Sequence, residues 1–283
     1  MLSSLRGRVV VVTGASRGIG RAIALRAAAD GARVVLAAKT TREHAKLPGT
    51  IHQVAAECEE AGGEALAVKC DLRDETQMAE VVSSVLERFA TIDVLVNNAS
   101  AISLTGTLDT PFKIYDRMFD VNARGSWGMT RLCLPHLLES DHAHVLNLAP
   151  PVDLDPKWFA RHSAYTLAKM AMSLWVLGMS QEFAGKVAFN ALWPRTTIDT
   201  AAVRNLLGGE PLARRSRTPQ IMADAAHAVL LRDPKSFTGN FCIDEELLGE
   251  TGVTDFEHYA VDPSEDLQID LFVDEDGGGS SIL

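Results

Sequence analysis

Apolar residues along this chain follow two alternating rhythms. Short apolar runs recur at residues 8–13, 33–38, 64–70, 92–97, 144–149, 187–193 and 239–243. Between them lie longer stretches with apolar residues three and four apart, at 17–30, 50–61, 74–90, 111–139, 162–184 and 219–232. Short runs with few polar interruptions suit strands buried on both faces. The longer spacing suits helices with one buried face. Gly31 and the pair Gly62-Gly63 supply stops after the first two helices. Seven strands alternating with helices predict an α/β fold, a single Rossmann-type doubly wound parallel sheet of about seven strands with helices on both faces. Such a sheet takes its ligands outside the carboxyl ends of its strands.

Charge divides the 283-residue chain unevenly. The net charge is −10, yet residues 236–283 hold 13 of the 37 acids and no Lys or Arg, while residues 1–235 carry 24 acids and 27 bases. We therefore expect a dinucleotide-binding domain over 1–244 and an acidic C-terminal extension over 245–283. Its end, rich in Asp, Glu, Gly and Ser from residue 274, is expected to be disordered. Leu247, Leu248, Phe256, Tyr259, Leu271 and Phe272 are anchors that would seat the rest on the body or on a neighbouring subunit. An acidic end argues against nucleic acid as a partner.

No apolar run is long enough to span a bilayer. The N-terminus enters the first strand with no signal-peptide core, so a cytoplasmic location is expected. Cys58, Cys70, Cys133 and Cys242 lack metal-ligand spacing, so no metal site is expected.

Two short patterns carry chemistry. Thr13-Gly-Ala-Ser-Arg-Gly-Ile-Gly20 joins the first strand to an Ala-rich helix. Glycines there allow close approach to a pyrophosphate at a helix N-terminus, which makes Gly14, Ser16, Arg17, Gly18, Ile19 and Gly20 cofactor-site candidates. Tyr165 and Lys169 stand four apart and share one helix face. An ammonium near a phenol favours the phenolate, and a phenol so tuned can exchange a proton with a substrate oxygen. Lys39 follows the second strand, where an NAD site usually carries an acid, so Arg17 and Lys39 favour the 2′-phosphate of NADP(H). The alternative is two surface cations. Asp71 is either an acceptor for the adenine amine or a helix N-cap. Asn98 and Ala99 follow the fourth strand and would line the cofactor.

The Gly-rich turn, Asn97-Asn98-Ala99, Asn122 in Val-Asn-Ala-Arg-Gly, and Tyr165-x-x-x-Lys169 occur in this order at the usual distances. Together they resemble the short-chain dehydrogenase/reductase family over roughly residues 7–243. Longer strings at 36–40, 97–103, 192–194 and 235–240 narrow the resemblance to one subgroup. The resemblance implies an NADP(H)-dependent oxidoreductase, with Tyr165 as proton donor or acceptor, Lys169 holding the nicotinamide ribose, and Asn122 holding a relay water. It also implies a homodimer or homotetramer.

Two departures stand out. The family's Asn-x-Ser-Ser is here Asn147-Leu-Ala-Pro150, so the usual substrate-oxygen donor is missing. Ser163, a water or the Tyr165 hydroxyl would have to replace it, although a cap for the following helix is the plainer reading of Ser163. Without a substitute donor, a low-activity NADPH-binding or sensing protein and an enoyl-thioester reductase are the alternatives. Family Pro-Gly after the sixth strand is Pro194-Arg195 here, with Thr197, Ile198 and Thr200 as candidates for the cofactor contacts. The lid over 195–218 carries Arg195, Arg204, Arg214, Arg215 and Arg217 against Asp199 and Glu210, an excess suited to an anionic substrate such as an acyl-CoA. Trp158, Phe159, Trp193, Leu206 and Leu207 would wall a lipid-like one.

Overall fold

The computed structural model describes residues 2–43 and 47–274. Seven strands, β1 (Val9–Thr13), β2 (Arg33–Ala38), β3 (Glu64–Lys69), β4 (Val94–Asn97), β5 (His144–Leu148), β6 (Ala188–Trp193) and β7 (Phe241–Ile243), form one sheet in the order β3-β2-β1-β4-β5-β6-β7. Every pairing is parallel. The order reverses between β1 and β4, which opens a crevice at their carboxyl ends.

Strand residues alternate between two cores. Val10, Val12, Val34, Leu36, Val94 and Val96 face α1 (Gly18–Ala29), α2 (Ile51–Glu60), α9 (Gln220–Leu230) and α10 (Asp244–Glu250). Val9, Val11, Val35, Leu95, Val145 and Phe189 face α3 (Glu75–Phe89), α5 (Ser126–Leu137) and α7 (Ser163–Glu182). Burial on both sides accounts for the near-continuous apolar runs.

Local signals fix the helix ends. Thr50 and Gln53 exchange side-chain and backbone bonds in a capping box before α2. Asp74 caps α3 by accepting from Thr76 and Gln77 N–H. The predicted helical stretch 111–139 is continuous but changes pitch: α4 (Phe112–Met118) passes through a π-turn at Phe119–Gly125 into α5. Asn122 sits in that turn, a feature frequent at functional sites. Between β5 and α7 lies the one-turn α6 (Pro156–Phe159), and the lid folds into a π-turn (Val203–Leu207) followed by α8 (Gly209–Arg214). Neither had a sequence signal strong enough to predict it.

The extension packs on the body as far as it is described. After α10 and a 3₁₀ turn at Glu257–Tyr259, the chain returns along the lid as a strap. Thr218 N–H donates to Tyr259 O at 2.7 Å, Gln268 N–H to Arg215 O at 2.8 Å, Thr197 N–H to Gln268 O at 2.9 Å, and Asp270 N–H to Arg195 O at 3.0 Å. Phe272 holds φ at 69°, a conformation that a bulky residue adopts only under constraint. Its ring lies 5.8 Å from that of Trp158 and 5.7 Å from that of Trp193. The end of the extension expected to be disordered falls, beyond Asp274, outside the described residues.

Among the described residues, no helix is long and apolar enough to cross a membrane. All four cysteines are free, and burial pushes each thiol up to about 12.

Candidate active site

β1 delivers its Gly-rich turn against the end of β4. Gly14 adopts φ 67° and Gly18 φ 55°. A Cβ on Gly14 would meet Ala99 Cα at 2.8 Å, and one on Gly20 would run into Asn98 Nδ2 and meet Gly14 O at 2.7 Å. Asn98 Nδ2 donates to Thr13 O at 2.8 Å, and the Asn98 and Ala99 N–H groups both donate to Thr13 Oγ1. The cradle is thus a backbone-lined turn that only glycine can form, and it aims the N-terminus of α1 outward. That is the shape and polarity a pyrophosphate requires. Ser16 is buried at the turn's back.

Two clefts open from this cradle and share Thr200. One, of about 530 Å³, runs between Arg17, Gly18 and Arg21 and the lid residues Asp199–Asn205. The other, of about 430 Å³, is lined by Ile19, Asn98, Tyr165, Lys169, Pro194 and Thr197 among others. The structure therefore gathers most of the predicted site residues around one crevice. Arg17 donates to the Pro48, Leu47 and Gly49 carbonyls. Lys39 is exposed. Asp71 is not the N-cap of α3, a role Asp74 takes. Asp71 accepts from Arg73 Nε at 2.9 Å and Nη2 at 2.5 Å, a fork that holds its carboxyl down to about 2.

Tyr165 and Lys169 are both buried on α7, as the spacing required. Their electrostatics differ from the sequence expectation. Burial raises the Tyr165 phenol, with Asp270 adding to the rise. Burial also lowers the Lys169 ammonium to about 7, against the opposing pull of Asp270. Lys169 Nζ donates to Leu148 O at 2.5 Å and sits 5.0 Å over the Trp193 ring. Desolvation outweighs the pairwise attraction that would have depressed the phenol.

Asn122 is fully buried and uses both ends of its amide on one residue: Ala101 N–H donates to Oδ1 at 2.7 Å, and Nδ2 donates to Ala101 O at 2.9 Å. Its side chain thus pins the loop after β4, a role that its position in the sequence did not disclose. Pro150 is buried and offers only its carbonyl, which accepts from Ser173 Oγ at 2.7 Å. Ser163 neither caps α7, whose N-cap is His162 without a side-chain bond, nor lines the cavity. Its hydroxyl lies 3.1 Å from that of Thr107.

The strap changes the substrate side most. Gln268, Ile269, Asp270 and Leu271 form one wall of the Tyr165 cavity, opposite Ile102 and Leu104 and beside Trp193 and Leu207. Trp158 instead supports Phe272 from behind, and Leu206 faces solvent. The expected basic patch of the lid is neutralised. Arg195 pairs with Glu245 and Glu246, Arg217 with Glu245, Arg214 with Asp262 and Glu265, and Arg204 with Asp199 and Glu210. Arg215 donates to Asp266 O. Acids of the extension thus offset most of the lid cations thought to attract an anion.

The crevice agrees with what the chain is similar to. A family model described as short chain dehydrogenase matches residues 8–210. Hydroxysteroid dehydrogenase-like protein 2 of Danio rerio is 54% identical over 270 residues, 95% of this chain and 65% of the relative. The chain therefore spans just under two thirds of that relative's length, and it is in this subgroup that the longer strings find their likeness. The crystal structure of a putative dehydrogenase from Xanthomonas campestris is 55% identical, with a TM-score of 0.93 over 96% of this chain and all of that one. A metagenomic short-chain oxidoreductase solved in complex with NADP is 28% identical, with a TM-score of 0.70 over 85% of this chain and 98% of that one. By its family match, its identity to these relatives and its fold, the chain belongs to the short chain dehydrogenase family of oxidoreductases.

Proposed function

We propose that the protein is an NADP(H)-dependent reductase or dehydrogenase that interconverts a carbonyl and an alcohol on a largely apolar, lipid-like substrate. Its working unit is the 1–244 domain together with the extension that closes the cavity. The observation that carries this reading is the convergence of a glycine-only cradle with buried Tyr165 and Lys169 in one crevice. When bound, the nicotinamide supplies or accepts the hydride.

Gly14, Gly18 and Gly20 would admit the pyrophosphate, and Arg17 and Lys39, cations after the cradle and after β2, would read a 2′-phosphate. Ile19, Asn98, Ala99, Pro194 and Thr197 line the remaining path. Tyr165 keeps its proton until a substrate oxygen gathers negative charge, which suits a phenol raised by burial to work as an acid. Lys169 orients the ribose and offsets the phenolate that forms. Asn122 fixes the post-β4 loop through its side chain.

The cavity walls favour an apolar carbonyl over an acyl-CoA, since the lid arginines are already paired. Tyr165→Phe tests the reading. NADPH binding, followed by tryptophan fluorescence, should persist while reduction across a panel of ketones and enoyl thioesters falls by roughly 10²-fold or more. Unchanged turnover on a substrate of the wild type refutes it. Binding with no Tyr165-dependent turnover on any substrate selects the sensing alternative instead.

A further inference from the structure

The strap carries one acid into the active site. Among the described residues that line the Tyr165 cavity, Lys169 and Asp270 are the only charged ones. They do not bond to each other. Lys169 Nζ donates to Leu148 O, and Asp270 Oδ1 accepts from Leu271 N–H at 2.7 Å. Each therefore presents its charge to the cavity rather than cancelling the other by contact.

Asp270 is held there from several directions. Its N–H donates to Arg195 O, and its neighbour Ile269 bridges Thr196 in antiparallel register. Trp193 Nε1 donates to Leu271 O at 2.7 Å, and the same indole covers Lys169 Nζ. Two residues on, the strained Phe272 places its ring 6.4 Å from that of Tyr165. A carboxylate is an expensive group to enclose unless a charge answers it.

We propose that Asp270 is a positioning residue of the active site, whose carboxylate acts across the cavity to keep Lys169 cationic and so couples the C-terminal strap to the Tyr165–Lys169 pair. The proposal rests on the reading of Lys169 as an active-site group. The groups that bear on it come from three elements: Tyr165 on α7, Asp270 on the strap, and behind Asp270 the buried Asp244 at the start of α10. Asp244 accepts from the Arg195 and Glu245 N–H groups and leaves Oδ2 without a partner. Arg195, Arg217 and Glu245 are spent on one another nearby. Burial already draws Lys169 down to about 7, and Asp270 resists it. Without that carboxylate the ammonium would lose its proton below neutrality, and with it the ability to offset a phenolate.

The test is the titration of Lys169 itself, followed by NMR on protein labelled at the lysine side chains, with Lys169→Arg used to assign the resonance. Asp270→Asn should move the Lys169 midpoint down by about one pH unit or more, Asp270→Glu should restore it, and the other lysines should stay in place. Asp270→Ser provides a second neutral variant should the Asn form fold poorly. An unmoved Lys169 midpoint in the neutral variants overturns the proposal. Because the readout is not turnover, the role of Asp270 can be decided even in a protein with no reductase activity. Where a substrate is in hand, the alkaline limb of kcat/KM for reduction should shift to lower pH in step with the NMR midpoint.

Discussion

Asp270 and Lys169 should make the stability of this protein unusually sensitive to pH near neutrality. Asp270 rises from 3.8 to about 7 in the folded chain. Between those values the folded state holds a proton that the unfolded state has released, so stability falls as pH rises from about 4 to 7. At 1.36 kcal/mol per tenfold in proton affinity, the displacement corresponds to roughly 4 kcal/mol. Asp270 opens on a cavity wide enough for water, so we expect about 1–3 kcal/mol. Lys169 falls from 10.5 to about 7. Over that window the unfolded state binds the extra proton, so stability recovers as pH climbs from about 7 to 10.5. Together the two groups cost most near pH 7, above the window over which Asp270 loses stability and below that over which Lys169 regains it. Asp270→Asn should therefore be slightly stabilising at pH 5 and clearly more so at pH 8, where Lys169 is mostly uncharged and loses little with its partner. Lys169→Met should stabilise most below pH 7 and lose that advantage toward pH 10.5. Urea unfolding of wild type and both variants at matched protein concentration, from pH 5 to pH 9.5, reads these differences. A gain from Asp270→Asn that is constant with pH, or a loss at pH 8, refutes the reasoning.

Three further outcomes probe the rest of the site. Gly20→Ala drives a methyl into Asn98 Nδ2 and to within 2.7 Å of Gly14 O, which should cost about 1–3 kcal/mol of stability and abolish the thermal stabilisation conferred by NADPH, whereas Gly18→Ala, with Thr200 Cγ2 at 3.4 Å, should cost about 1 kcal/mol through its positive φ alone. Lys39→Glu should weaken NADPH by roughly tenfold or more relative to NADH in fluorescence titrations, since it replaces a partner of the 2′-phosphate with a repelling charge; an unaltered ratio removes Lys39 from the cofactor site. Pro150→Ser returns a hydroxyl and an N–H at the position where the family carries its serine, while keeping the carbonyl that Ser173 needs, and should raise ketone reduction by up to ~10²-fold; a flat kcat would mean that another group already serves the oxygen.

How much of this was legible in the sequence depends on whether a residue's role is local. Each of the seven strands and six long helices lies where its pattern predicted, because strand burial on two faces and helix burial on one are written into spacing. The glycine cradle and the Tyr165–Lys169 pair were legible for the same reason, as a turn and one helix face. The Asp71 cap, the Lys169-tuned phenol and the free basic lid were not, and all failed alike. In each case spacing did not reveal the deciding partner: the Arg73 guanidinium for Asp71, the enclosing core for Tyr165, and acids 28 or more residues away for Arg214 and Arg217. Asp270 shows the limit most clearly. In the sequence it is one of 13 acids in a segment whose apolar anchors stand out but whose acids look alike. What sets it apart is the short apolar frame around it, Ile269 on one side with Leu271 and Phe272 on the other, which draws the strap into the crevice. An acid flanked by anchors is carried inward with them, and once enclosed its charge must be answered by Lys169. The extension is therefore better regarded as a wall of the Tyr165 cavity than as an appendage to it, and removing residues 262–274 should expose Tyr165 and strip Arg214 and Arg215 of their partners together rather than merely shorten a tail.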